Sequence, residues 1–363
     1  MLEKTNIPYP ADLPVLTSLR FWAAYGVAFF HYCVISIGNT GIDVMNIPVI
    51  SKFHLGVDFF FVLSGFILTH VYREKLAQGK ISIRDFYIKR IARVYPVFMT
   101  IFFLTLIELY GFYALGVTDK PESVTPINFI LYTLGLHAWL NIEIAKFNPP
   151  SWSISAEWFA YLLFPFMLWG MGRLHYLVQL CISVLCAVIC WELAEKVLGE
   201  PLTQLTFNMG ILRILPEFLF GMALYQAGLR YRLRLHSTAA FFALVGIMLL
   251  AMAFLIPDYG IVIIFGAIIL LGAEQGRAGY TGPLTRKNPV YLGEISYSVY
   301  LLHIPMLEMT LSILKTLHLP DDSAMAAIAL CFIGIIPAAM LSYAVIEHPA
   351  RIYIIKRFVK SGL

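Results

Sequence analysis

Eleven apolar stretches recur along this chain with no long polar block between them, and that pattern decides its solvent. They run over residues 15–37, 54–72, 92–113, 126–145, 152–171, 174–198, 211–229, 238–256, 259–275, 290–316 and 324–346. Most reach the ~20 residues that an α-helix needs to cross the hydrocarbon of a bilayer. Of the 363 residues, 60% are hydrophobic and only 13% are charged. A soluble fold needs charge over its surface and has nowhere to hide so much apolar side chain. The expectation is an all-α fold, a polytopic membrane helix bundle that makes up a single integral membrane domain over residues 1–363. The first 14 residues are polar, include Pro8, Pro10 and Pro14, and do not resemble a cleavable signal peptide, so the first span is expected to target the chain. The five cysteines all fall inside apolar stretches and read as packing thiols.

Lys and Arg collect in cytoplasmic loops, which fixes orientation. Residues 73–93 hold Arg73, Lys75, Lys80, Arg84, Lys89, Arg90 and Arg93, and residues 230–234 hold Arg230, Arg232 and Arg234. With both segments inside, an even number of crossings must separate them, yet five apolar stretches lie between. The stretch 126–145, broken by His137, Asn141 and Glu143, is expected to be the one that does not cross, as a re-entrant or interfacial helix. About ten transmembrane helices remain. Both termini, Arg173, Arg286, Lys287 and the tail with Arg351, Lys356, Arg357 and Lys360 then fall inside, while Asp43, Asp321 and Asp322 fall outside.

A charge within a span costs ~2.5–3.5 kcal/mol on insertion scales, so each one asks for a reason. Arg20 and His31 share a face of the first span, separated along its axis by roughly 16 Å. Asp58 enters from the outer side at a depth where its carboxylate can orient an imidazole or stabilise its charged form. Ser64-Gly65 reads as a site of close helix packing. Ser153, Glu157 and Tyr161 recur at i, i+4 and i+8, a polar stripe that with Trp152 suits a sugar ring held by hydroxyl bonds and stacking. Arg213 and Glu217 are spaced for an ion pair on one helix, compatible with a structural role or a substrate role. Ser296, Tyr300 and His303 lie within about 60° of one another on the late helix. An inner group of Arg20, Arg90 and Arg93, with Glu347 nearby, invites a phosphorylated ligand. An outer group of His31, Asp58, Ser153, Glu157 and His303 invites proton transfer. No histidine spacing suggests a metal site, and the net charge of +4 gives no support to a nucleic-acid partner.

Several segments carry a family likeness. They are Leu16-Thr17-Ser18-Leu19-Arg20 with His31, Asp58 through Gly65, Arg90-Ile91-Ala92-Arg93-Val94-Tyr95-Pro96, Pro150 through Pro165, Leu212 through Gly221, Gly293 through His303, and Glu347-His348-Pro349. Together they resemble the bacterial membrane acyltransferases of the acyltransferase-3 family, which O-acetylate cell-surface polysaccharides. The resemblance implies a ten-span bundle in the bacterial inner membrane. It implies that acetyl groups pass from cytoplasmic acetyl-CoA to a hydroxyl of a cell-surface or exopolysaccharide sugar, or of a lipid-linked oligosaccharide, on the outer side. His31 matches the essential histidine, Arg20 its arginine partner, and Arg90 and Arg93 the motif for the CoA phosphates. His31 is expected to serve either as general base or as a transient acyl carrier, with Asp58 or Glu157 steadying its charge. Trp152, Ser153, Tyr161, Arg213, Glu217, Tyr300 and His303 are expected at the acceptor. Some relatives carry a fused periplasmic hydrolase-like domain; this sequence carries none through Leu363, so direct acylation is expected. Succinyl-CoA stays open as donor. A rival class, a proton-coupled transporter or flippase for a glycan or anion, also uses buried His, Asp, Glu and Arg, but the sequence has no repeats or paired broken helices.

Overall fold

Hydrocarbon offers no partner to a free N–H or C=O, so a chain of this composition must satisfy its backbone within each segment. It does so by helix after helix. In the computed structural model these are α1 (Pro14–Thr40), α2 (Pro48–Ser51), α3 (Gly56–Ala77), α4 (Ile83–Ala114), α5 (Pro126–Thr133), α6 (Trp152–Met171), α7 (Tyr176–Leu193), α8 (Ile211–Arg230), α9 (Thr238–Ala253), α10 (Asp258–Arg277), α11 (Lys287–Thr316), α12 (Asp322–Ser342) and α13 (His348–Phe358). The structure describes residues 2–5, 7–40, 46–118, 124–142, 147–233, 237–318 and 322–359. Asp43, Glu143, Arg234, Asp321 and Lys360 lie outside the described residues. One short antiparallel pairing, β1 (Leu2–Lys4) with β2 (Tyr231–Leu233), ties the start of the chain to the end of α8.

Seven helical segments among the described residues are long and apolar enough to cross a membrane. Helices α1, α8 and α9 run among them. Helix ends between spans are capped by side chains: Ser82 Oγ accepts from the Asp85 N–H at 3.0 Å and Ser237 Oγ from that of Ala240 at 3.1 Å. The described part of the 126–145 stretch, residues 126–142, holds no helix long enough to span. Helix α5 has 8 residues, about 12 Å of rise, and Gly135 then turns the chain at φ 70°. His137 follows, fully buried in an aromatic stack, 4.0 Å from the Tyr132 ring and 5.8 Å from that of Phe98.

Lipid tails are as apolar as leucine, so packing contact rather than the hydrophobic effect holds such helices together. Glycine sets two of the closest approaches. A Cβ on Gly65 would overlap the Phe218 carbonyl, and one on Gly221 the Val62 carbonyl, which seats α3 against α8. A Cβ on Gly293 would overlap the Thr17 carbonyl, which seats α11 against α1. Large apolar side chains such as Ile107, Trp169, Phe254 and Leu330 stand exposed on the outside of the bundle, where lipid covers them.

Gly293→Ala is expected to destabilise the protein by about 1–3 kcal/mol, seen as a lower unfolding midpoint in lipid nanodiscs. Gly26→Ala, where nothing lies within 4 Å of the added methyl, is the matched control. Equal midpoints for the two variants would contradict the packing described.

Candidate active site

Helices α1, α3, α4, α6 and α11 surround a cavity of about 160 Å³. Three arginines line it. Arg20 comes from α1, and Arg90 and Arg93 come from one face of α4. Opposite them stands the α6 stripe of Ser153, Glu157 and Tyr161, presented at helical spacing as the sequence implied. Ser64 from α3 and Tyr297 and Tyr300 from α11 complete the wall.

The arginines differ in what already holds them. Arg93 forms an ion pair with Glu347, which is 1% exposed and also accepts from Ser298 Oγ at 2.9 Å. Its guanidinium lies 5.6 Å from the centre of the Tyr297 ring. Arg90 Nη2 donates to Tyr72 Oη at 3.0 Å, and its guanidinium lies 5.2 Å from the Tyr72 ring and 5.6 Å from that of Tyr161. Arg90 Nε is buried with no hydrogen-bond partner among the described residues. Arg20 makes no hydrogen bond or ion pair among the described residues, although Arg93, Glu347 and Glu157 are its charged neighbours. Glu157 accepts from Ser64 Oγ and from Tyr161 Oη, each at 2.6 Å. With Glu347 taken up by Arg93, the cavity keeps uncommitted guanidinium donors in an apolar surround. That is a setting for an anionic ligand.

One turn beyond Tyr300 on α11 lies His303, fully buried against His31 of α1. His303 Nε2 and His31 Nδ1 are 3.0 Å apart, with the rings stacked at 27° and their centres 5.0 Å apart. His303 Nδ1 is 2.6 Å from the Tyr300 carbonyl. Tyr32 Oη donates to the His303 carbonyl at 2.9 Å, a second tie between α1 and α11. Pro305 has no N–H to offer the Leu301 carbonyl, and Asn148 Nδ2 supplies one at 3.0 Å.

Asp58 lies away from this pair. Both its oxygens go to Arg213, from Nε at 2.8 Å and from Nη2 at 2.5 Å, and both side chains are buried. The Trp152 ring covers the same guanidinium at 5.1 Å. The i, i+4 partnership of Arg213 with Glu217 gives way to a forked pair across helices, because the α3–α8 contact at Gly65 and Gly221 brings a planar carboxylate edge to the guanidinium. Asp58 therefore does not steady His31, and Trp152 faces Arg213 rather than the cavity. His303 has both ring nitrogens engaged within the protein, which leaves no polar atom of the ring for an acceptor. Glu157 belongs with the arginines, not beside His31.

Some participants escaped the sequence reading. Ser64 was expected only at a packing contact, yet it holds Glu157. Tyr72 and Tyr297 face the arginines across helices, which no spacing on one helix reveals. His54 packs on the Phe30 ring that also packs on His31, with Nδ1 2.7 Å from the Ser51 carbonyl and a buried Nε2 without a partner among the described residues. The run His54-Leu55-Gly56-Val57-Asp58 held the signal for it.

Comparison with known proteins bears on this arrangement. The acyltransferase-domain profile matches residues 14–345, nearly the whole chain. The chain belongs to the acyltransferase-3 family. Within curated proteins, this family member is 29% identical over 239 residues to acyltransferase MdmB of Streptomyces mycarofaciens, covering 60% of this chain and 58% of that protein. It is 23% identical over 365 residues to the putative peptidoglycan O-acetyltransferase YrhL of Bacillus subtilis, covering 93% of this chain and 55% of that protein. It is 26% identical over 171 residues to O-acetyltransferase OatA of Staphylococcus aureus, covering 44% of this chain and 25% of that protein. The chain thus spans little more than half the length of the first two. No solved structure matches it significantly.

Asp58→Asn leaves Arg213 only the Glu217 carboxyl, which lies beside Asp58 and Arg213, as its anion and is expected to destabilise the protein by about 1.5–3 kcal/mol. Thermal unfolding in lipid checks this. A variant of unchanged stability that has lost catalysis would assign Asp58 to chemistry instead.

Proposed function

We propose that this protein is a membrane O-acyltransferase that takes an acetyl group from acetyl-CoA and places it on a hydroxyl of a cell-surface or exopolysaccharide sugar, free or lipid-linked. The observation that carries this reading is the cavity with uncommitted donors on Arg20 of α1 and Arg90 of α4, walled in part by the two helices, α1 and α11, that carry the His31–His303 pair. Family membership and relatives named as O-acetyltransferases support the acetyl group and the hydroxyl acceptor. Family membership supports a membrane location, taken here as the bacterial inner membrane, and the charge distribution supports both termini in the cytoplasm, which puts the arginines within reach of a cytosolic donor.

CoA is a polyanion that ends in a thiol. Its phosphates pair with Arg20 and Arg90, with Arg93 held in place by Glu347. The thioester arm runs between α1 and α11 toward His31. There the imidazole takes one of two parts. As a general base it removes the proton of the sugar hydroxyl, the oxygen attacks the thioester carbonyl, the C–S bond breaks and the CoA thiolate leaves. As a carrier, it attacks the carbonyl itself, releases the thiolate and then gives the acetyl group to the hydroxyl. The surrounding hydrocarbon excludes water, which limits hydrolysis of the thioester. In this reading Ser153 and Tyr161 serve as polar contacts for the substrates, and Glu157 keeps the α6 stripe aligned through Ser64 and Tyr161.

The test is turnover of acetyl-CoA by purified protein in lipid with a crude surface glycan as acceptor. Wild type is expected to produce acetylated glycan, and His31→Ala to lose at least about 10³-fold of the rate while staying folded. Substantial activity in that variant would remove His31 from the chemistry. Movement of a glycan with no covalent product would instead favour a transporter.

Arg20→Ala and Arg90→Ala are expected to weaken CoA binding by about tenfold or more each, since each removes a charge-assisted hydrogen bond worth ~1.5–3 kcal/mol. Equilibrium binding of CoA checks this. Unchanged affinity in both would place the donor elsewhere.

A further inference from the structure

We infer that His303 is a positioning residue that fixes the tautomer of His31 and receives its proton, so that His31 Nε2 is the reacting atom. The inference rests on the acyltransferase reading and deepens it.

Three groups in a chain, the Tyr300 carbonyl, His303 and His31, share a fixed number of protons. The Tyr300 carbonyl can only accept, so the 2.6 Å contact from His303 Nδ1 requires a proton on that nitrogen. In a neutral ring His303 Nε2 then holds a lone pair. The 3.0 Å contact from His303 Nε2 to His31 Nδ1 needs one proton between the two nitrogens, and His31 Nδ1 must bring it. The Val27 carbonyl, one turn back on α1, also draws on an N–H of the His31 ring and can only accept, and a proton on Nδ1 answers it as well. His31 Nε2 is left bare, with its lone pair available on the half-buried ring. A carboxylate commonly does this orienting work for a histidine. Here the two carboxylates expected in that role are committed elsewhere, Asp58 to Arg213 and Glu157 to Ser64 and Tyr161.

A second imidazole differs from a carboxylate in starting neutral and in being able to take a proton. When His31 Nε2 forms its bond, either to the hydroxyl proton or to the acetyl carbon, the ring gains a positive charge. Passing the Nδ1 proton to His303 Nε2 moves that charge onto His303 and leaves His31 neutral. In the carrier route the result is a neutral acyl-imidazole, and the thiolate leaves with the electron pair of the C–S bond. The proton returns along the same bond when the acetyl group has passed to the hydroxyl, and the hydroxyl's own proton goes to the CoA thiolate, so both rings end as they began. His303 touches neither donor nor acceptor, since its ring is fully buried and both nitrogens are used.

The experiment pairs spectroscopy with kinetics on the full chain in nanodiscs. With ¹⁵N-labelled histidine, the His31 signals are those lost in His31→Ala. Wild type is expected to show His31 with Nδ1 protonated and Nε2 bare near neutral pH. His303→Asn keeps a donor for the Tyr300 carbonyl but removes the acceptor for His31. It is expected to mix the His31 tautomers and lower kcat by about 10–100-fold, with the acetyl-CoA KM within about twofold. His303→Gln places an amide oxygen where Nε2 was, so it is expected to restore the tautomer and recover only part of kcat, because an amide cannot take the proton. A protonated Nε2 on His31 in wild type, or an undiminished kcat in His303→Asn, would overturn the inference. Failure of wild type to transfer acetyl at all would overturn the acyltransferase reading instead, and the nitrogen spectra would still decide the tautomer.

Discussion

Helix α11 can bring His303 against His31 only because Gly293 has no side chain. The Thr17 carbonyl occupies the place where a Cβ would stand, so the two backbones touch near one end of the pair. Further along, Tyr32 reaches the His303 carbonyl and the two imidazoles stack. Much of the remaining design answers to that contact. Arg20 lies between its two ends on α1, Tyr297 and Tyr300 lie between them on α11, and the cavity opens where α4 and α6 close around these residues.

Charge in hydrocarbon is the second constraint, and the protein meets it in two ways. One is full pairing: Asp58 with Arg213, under the Trp152 ring, is a closed unit that holds α3 to α8. The other is partial pairing. Arg93 is neutralised by Glu347, while Arg20 and Arg90 keep donors that no described residue takes up. Burying a guanidinium with donors unfilled is costly unless a ligand fills them. The contrast separates a structural charge cluster from one suited to substrate, a distinction that depends on which helix faces which.

That distinction also explains what the sequence made legible. The length and apolar character of the helices follow from composition, and the short helix over the described part of 126–145 agrees with the charge parity between two basic segments. The Ser153–Glu157–Tyr161 stripe and the shared face of Arg90 and Arg93 follow from helical period alone. Lateral partners do not. Counting residues gave Glu157 and Arg20 different depths, yet they line one cavity. Spacing favoured Glu217 as the partner of Arg213, and only the glycine contacts of α3 and α8 bring Asp58 there. His303 was legible as a polar residue on the right helix, but its bond to His31 spans 272 positions and no local pattern encodes it.

The central claim is that an acyl thioester bound at the basic end of the bundle feeds a hydroxyl at the other. The most direct measurement uses sealed proteoliposomes of uniform orientation, with labelled acetyl-CoA supplied only at the face bearing Arg73, Lys75 and Arg84, and the glycan acceptor enclosed on the opposite side. The account predicts labelled ester on the enclosed glycan and free CoA on the donor side, with no acetyl-CoA crossing. Labelled product that forms only when donor and acceptor share a face would contradict it.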